Sequence, residues 1–273
     1  ALQNQQWMYL NGVILVSPAD YKSYGADNAI SSALNLPYMT AAAWHHKLLP
    51  EELQNKDLLE VLPEVEDYTI NALMPALAKG GFISEEERKI VAKKMSYYST
   101  ISEKAILQHN LDVPTSFFWK ELLRDEKGMT VGRLDSRYLG LDKSEAGSRP
   151  DHNAELKSWL HSFTPAINYY IREHLQFKTD VPTRDDLRKA MAENPYLNVM
   201  FQSGYYDGAT TYFNAKYTMW QMDPSGKMKD RLSFKGYRSG HMMYLRKEDL
   251  KTANDDLRSF LLSTSGTGKS AKY

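Results

Sequence analysis

The chain of 273 residues balances 34 Lys and Arg against 34 Asp and Glu, is 42% hydrophobic and 12% aromatic, and contains no cysteine. These values describe an ordinary globular protein of one large or two small domains, and its zero net charge gives no electrostatic reason for a nucleic-acid or membrane partner. The lack of Cys excludes disulfides, thiolate metal sites and a cysteine nucleophile, and no apolar run approaches the ~20 residues that cross a bilayer.

Ala1 to Tyr9 has neither an initiator Met nor a basic segment leading into an apolar signal core, and Gly12-Val-Ile-Leu-Val-Ser17, ended by Pro18, reads at once as a buried strand. The chain is therefore expected to begin inside a fold. Glu51 to Leu59 and Val65 to Ala78 have helical composition, and Glu85 to Tyr98 follows a capping box of Ser84 and Glu87. Asp151 to Gln176 also reads as helical, with Pro165 as a break or as the first-turn proline of a second helix. Leu197 to Gln202 and Phe234 to Arg238 are further apolar strands, separated by a crossover helix that buries Phe213, Tyr217 and Trp220. Lys247 to Leu262 is the last helix, with Leu250, Ala253, Leu257, Phe260 and Leu261 on one face. Ser263 to Tyr273 reads as a disordered polar tail. Its Gly266-Thr-Gly-Lys-Ser270 lacks the first glycine, the preceding strand and the following helix of a phosphate-binding loop.

The strands are unevenly spaced. About 180 mostly helical residues lie between the first and second strands, and only about 30 between the second and third, one ordinary strand-helix-strand unit. The expected organisation is α/β. Residues 1–36 and 162–262 would build a parallel sheet, 37–161 a helical cap inserted over it, and 263–273 the tail. The first strand would present an open apolar edge, to be completed by an N-terminal partner or by pairing through that edge in a homodimer, unless the chain exists only as a fragment of a longer sequence.

Adjacent His45 and His46 lack an H-E-x-x-H pattern and read as packing residues of the cap. Arg133, Asp135 and Arg137 alternate in Val131-Gly-Arg-Leu-Asp-Ser-Arg-Tyr138. That segment reads either as a solvated loop with local ion pairs or as a cap segment reaching a site. The pair that matters is Asp207 and His241, 34 residues apart, each just past the carboxyl end of a late strand. Open α/β sheets place their chemistry at that edge, and acid before histidine is the order in which an α/β-hydrolase supplies the last two members of its triad.

These residues carry a resemblance. Leu10-Asn-Gly-Val-Ile-Leu-Val-Ser-Pro18, Val131-Gly-Arg-Leu-Asp-Ser-Arg-Tyr-Leu-Gly140, Gly204-Tyr-Tyr-Asp207 and Gly240-His241-Met242 are similar to segments of the serine carboxypeptidase family. This is the family of α/β-hydrolases related to carboxypeptidase Y and cathepsin A, and the likeness is greatest to its bacterial branch. It spans nearly the whole chain and implies a partial α/β-hydrolase fold: the C-terminal strands of the parallel sheet with a large helical cap. It implies that His241 takes the proton of a serine and hands it to the leaving amino acid, while Asp207 orients the imidazole. The substrates would be peptide C-termini, with no cofactor or metal, and the compartment secreted or periplasmic; the alternatives are an esterase or acyltransferase on the same fold, or a non-catalytic association module. The family's Gly-Glu-Ser-Tyr-Gly elbow does not occur in the chain. Ser17, Ser203 and Ser239 lack the glycine-flanked turn and read as loop or capping hydroxyls. The nucleophile is therefore expected on a missing N-terminal part, and the chain alone is expected to be inactive.

Overall fold

Short runs rich in apolar residues and bounded by turn residues make the sheet. The computed structural model describes residues 9–18, 28–142, 144–156, 166–167, 169–170, 175, 187–223, 226 and 228–264. Among these, the strands are β1 (Gly12–Val16), β2 (Thr130–Val131), β3 (Leu139–Gly140), β4 (Asn198–Gly204) and β5 (Leu232–Tyr237). β1, β4 and β5 form a parallel sheet with β4 in the centre, and the register sets Leu15 beside Phe201 and Phe201 beside Phe234. Every residue of β4 from Val199 onward is buried, as a central strand covered on both faces requires. β1 is an outer strand and Val16 is 49% exposed. The short β2 and β3 pair antiparallel.

The helices follow in chain order, beginning with α1 (Asn28–Ala33) and α2 (Leu36–His45). The sequence reading did not single out α2, yet it is the most enclosed helix: every residue from Leu36 to Ala43 is buried. Pro37 sits in its first turn, where its missing N–H costs nothing. The expected helix over Glu51 to Leu59 divides. α3 (Glu51–Gln54) stops, and Asp57 starts α4 (Leu58–Tyr68) by accepting the Leu59 N–H at 2.9 Å while Glu60 accepts the Asp57 N–H at 3.1 Å. α4 runs through a π-helical turn, Thr69–Leu73, into α5 (Met74–Ala78). Pro75 offers no N–H to the carbonyl four residues back and crowds it, and the wider turn relieves both problems. α6 (Glu85–Ser99) has half of its expected capping box: Ser84 accepts the Glu87 N–H at 3.1 Å, but the Glu87 carboxylate turns to Lys79 at 2.6 Å. α7 (Glu103–Gln108), α8 (Thr115–Glu121) and α9 (Arg124–Lys127) complete the helical block. α10 (Leu187–Glu193), α11 (Tyr212–Gln221) and α12 (Lys247–Thr264) belong with the sheet.

One apolar cluster, running from Ala33 to Val131, fills the helical block, and a second joins Leu197, Val199 and Phe201 to Met191, Met219 and Met222. A third, with Leu34, Leu62, Tyr206, Tyr212 and Phe213, links the two. The helical block is thereby seated on the carboxyl ends of β4 and β5 through side chains of the loop after β4.

Four further expectations need correction. Asp151 to Glu155 is bend and turn rather than helix, and most of the rest of the expected helix to Gln176 lies outside the described residues. In α11, Phe213 is buried but Trp220 is 42% exposed, because Ala215, Thr218 and Met219 take the inner face. In α12, Leu250 and Leu261 are exposed and Ala253, Leu257 and Phe260 half-buried, because the helix is turned to bury Asp249. The helix includes Ser263 and Thr264, and residues 265–273 with their Gly-Thr-Gly-Lys-Ser segment lie outside the described residues. No helix among the described residues is long and apolar enough to cross a membrane.

Candidate active site

β4 and β5 end side by side, with Gly204 beside Tyr237. The two loops then continue the pairing: Tyr205 N–H donates to the Tyr237 carbonyl at 2.9 Å and Tyr206 N–H to the Ser239 carbonyl at 3.0 Å. This approach requires a glycine at 204, since a Cβ there would stand 2.3 Å from the carbonyl oxygens of Ser239 and Gly240. The zipped loops bring Asp207 to His241.

Asp207 has no exposed side-chain surface. Its Oδ1 accepts the N–H groups of Ala209 at 2.9 Å and Thr210 at 3.0 Å, and its Oδ2 accepts the Thr210 hydroxyl at 2.6 Å. Oδ2 also lies 2.8 Å from His241 Nδ1. A carboxylate accepts only, so Nδ1 carries the proton of the neutral ring and Nε2 keeps its lone pair. The His241 pKa stands above its ordinary 6.5, chiefly through the Asp207 hydrogen bond, which overcomes the opposing effects of burial and of the Arg133 charge. The imidazole is 30% exposed, and no described side chain bonds its Nε2.

The histidine loop is fixed from two further sides. The Ser17 hydroxyl, just past β1, donates to the His241 carbonyl at 2.8 Å, and His241 N–H donates to the Leu134 carbonyl at 2.7 Å. The latter bond belongs to the segment between β2 and β3, for which two readings were open. It is docked, not solvated: Asp135 and Ser136 are buried. Ser136 N–H donates to the Tyr206 carbonyl at 3.1 Å, and Gly208 N–H donates to the Arg133 carbonyl at 3.0 Å. Arg137 forks onto Asp135, with Nη2 2.6 Å from Oδ2 and Nε 2.9 Å from Oδ1, and its Nη1 donates to the Arg238 carbonyl at 3.0 Å. Its guanidinium also covers the Tyr206 ring, 5.2 Å from the centroid. Gly240 is the counterpart of Gly204 here, since a Cβ on it would meet Asp135 Cβ at 2.4 Å.

Behind this segment, the buried Tyr38 hydroxyl meets the Ser136 hydroxyl and accepts from Trp119 Nε1 at 2.9 Å. His46 Nε2 lies 2.7 Å from the Ser136 carbonyl, so this histidine braces the docked segment. His45 rests against Tyr206, with ring centroids 5.3 Å apart. Loss of water around the His45 ring, followed by the nearby His46 and Arg137 charges, pushes its pKa down to about 4. Glu155 is buried below the same segment. Its Oε1 accepts the Leu134 N–H at 2.7 Å, while Oε2 has no described partner, and burial raises its pKa.

The site therefore joins Asp207 and His241 as expected, and adds residues that the sequence reading did not select. Thr210 bonds both members of the pair, lying 3.2 Å from His241 Nδ1. The Asp207-Gly-Ala-Thr210 spacing carried a signal for it, because an Asp that accepts from the backbone two and three residues on is an Asx-turn. Nothing local in the sequence marked Ser17 as a partner 224 residues from His241. Of the three serines weighed as nucleophiles, Ser17 is committed to the His241 carbonyl and Ser239 to Asp249. Ser203 is no loop or capping hydroxyl: it is buried within β4, and its hydroxyl has no partner among the described residues. No protein-family model, curated protein or solved structure matches the chain.

Proposed function

We propose that this chain is the cap and proton-relay portion of a serine carboxypeptidase-like α/β-hydrolase, with Asp207 and His241 as acid and base. One observation supports it above the others: a 2.8 Å Oδ2–Nδ1 contact between an enclosed carboxylate and a part-exposed imidazole, each on the loop after one of two adjacent parallel strands. In that role Nε2 takes the proton of a serine hydroxyl as its oxygen bonds to the scissile carbonyl carbon. The imidazolium so formed is stabilised by Asp207, then protonates the leaving amine as the C–N bond breaks. Water repeats the sequence on the acyl-serine and releases the shortened peptide. The serine comes from outside the 273 residues, because no G-x-S-x-G segment occurs within them.

Two measurements test this reading. A fluorophosphonate should leave the 273-residue chain unlabelled in an intact-mass measurement, and a label on this chain would refute the assignment of an external serine. In the full-length parent, His241→Ala should abolish release of C-terminal amino acids while the protein still folds. Undiminished release would overturn the role of His241.

A further inference from the structure

A cavity of about 470 Å³ opens beside the acid loop, where Gly208 and Ala209 form part of its wall. Thr115, Trp119, Arg133, Arg149, His152 and Asn153 also line it. No carboxylate of the described residues lines it. Neither Arg133 nor Arg149 has a carboxylate partner among the described residues, although neighbouring Arg124 and Arg137 are both paired. The nearby Asp142 does not cancel these charges, because it is enclosed with the Lys120 ammonium, each side chain being 2% exposed. His152 is held to one side of it, with Nδ1 3.7 Å from Asp142 Oδ1 and Nε2 buried near Gly140. The cavity is thus walled by two guanidinium groups that no described carboxylate pairs.

The geometry also ties this cavity to the candidate chemistry. Ala209 N–H and Thr210 N–H hold the Asp207 carboxylate, so the wall at Gly208 and Ala209 is the turn that positions the acid. Arg133 reaches both ways: its carbonyl accepts the Gly208 N–H at 3.0 Å, and its charge acts on His241. Gly208 must lack a side chain here, since a Cβ would stand 2.4 Å from the Tyr38 hydroxyl and 2.7 Å from Trp119 Nε1.

We propose that this cavity binds a dicarboxylic amino acid residue, with Arg133 and Arg149 each taking one carboxylate. Under the hydrolase reading, on which this assignment rests, that residue is the acidic one released from the substrate. A single carboxylate would leave one guanidinium unmatched, whereas a C-terminal Glu or Asp presents two. Arg is suited to the task because its planar donors meet a carboxylate in two parallel hydrogen bonds.

Calorimetric titration of the 273-residue chain with L-glutamate, L-glutamine and L-alanine tests the assignment without requiring a nucleophile. Glutamate should bind at least ~10-fold more tightly than either neutral amino acid, the usual cost of leaving a charged site unpaired being of this order or larger. Arg133→Gln and Arg149→Gln should each remove that advantage, while Arg→Lys at either position should retain part of it. Both arginines are exposed, so the unfolding midpoints of the variants should match the parent. Equal binding of glutamate and glutamine, or undiminished glutamate binding in both Gln variants, would overturn the assignment. Failure of the hydrolase reading is visible separately: glutamate binding would persist with its dependence on both arginines, while His241→Ala left peptide cleavage by the full-length parent intact.

Discussion

Arg137→Met tests how the segment between β2 and β3 is held against the loops that carry Asp207 and His241. The Arg137 guanidinium makes bonds of 2.6, 2.9 and 3.2 Å to Asp135 and one of 3.0 Å to the Arg238 carbonyl. The Asp135 side chain is only 5% exposed, so removing the guanidinium leaves a buried carboxylate with the Arg137 backbone N–H, at 3.0 Å, as its one donor among the described residues. Breaking one side of a buried ion pair costs ~3–5 kcal/mol, and the 23% exposure of Arg137 places this case near ~3 kcal/mol. At roughly 2–4 °C per kcal/mol for a chain of this size, the melting temperature should fall by about 6–12 °C. Urea unfolding of the parent, Arg137→Met, Asp135→Asn and the double variant gives the pairwise energy directly. Asn keeps an oxygen for the Arg137 N–H, so the double variant removes the charge while sparing that bond. It should be more stable than the sum of the single losses by at least ~1.5 kcal/mol. Additivity within ~0.5 kcal/mol would show that the ion pair does not fasten the segment.

Asp207→Asn should lower the His241 pKa, followed by proton NMR of the ring. The pKa raised in the folded state stabilises the fold at pH below the ordinary 6.5, and this contribution disappears as pH rises through the folded value. The stability penalty of Asp207→Asn should therefore be larger in acid than above the folded pKa, and a pH-independent penalty would contradict the pairing. Gly204→Ala places a Cβ 2.3 Å from two carbonyl oxygens, where ordinary contact begins at 3.4 Å, so the loops must part by about 1 Å. Chemical denaturation should register a loss of ~1–3 kcal/mol, and a neutral result would mean that the loops are not in close contact. His45, with its pKa near 4, should show no titration between pH 5.5 and 8 by NMR, whereas a midpoint near the ordinary value would refute its placement against Tyr206.

The three sheet strands were legible because short apolar runs between turn residues have few alternatives, but the burial expected of the first was not met: no residue of the outer strand β1 is buried, and in β5 only Tyr237 is. A run such as Val199-Met-Phe201 has few alternatives to a covered strand, and the Gly and Pro residues around it mark its limits. Asp207 and His241 were legible by a different route, since their positions after successive strands bring them to one edge whatever the intervening side chains do. Helix limits were less legible. Nothing in Glu51 to Leu59 forces a break, except that Asp57 and Glu60 together satisfy the start of a new helix better than they continue the old one.

The amino-acid sequence by itself determined the strands, the order of the acid and the histidine, and the absence of a nucleophile elbow, because each depends on residues adjacent in the chain or on connectivity alone. Tertiary structure decided which face of α12 turns inward, through Asp249 meeting the Ser239 hydroxyl. It decided that Arg133 to Arg137 docks rather than faces water, through bonds to Tyr206, Gly208 and His241. It also gathered Arg133, Arg149 and His152 around one cavity beside Asp207. These are contacts between residues distant along the chain, and their free energy depends on the water excluded when the surfaces meet, which no local pattern of residues records.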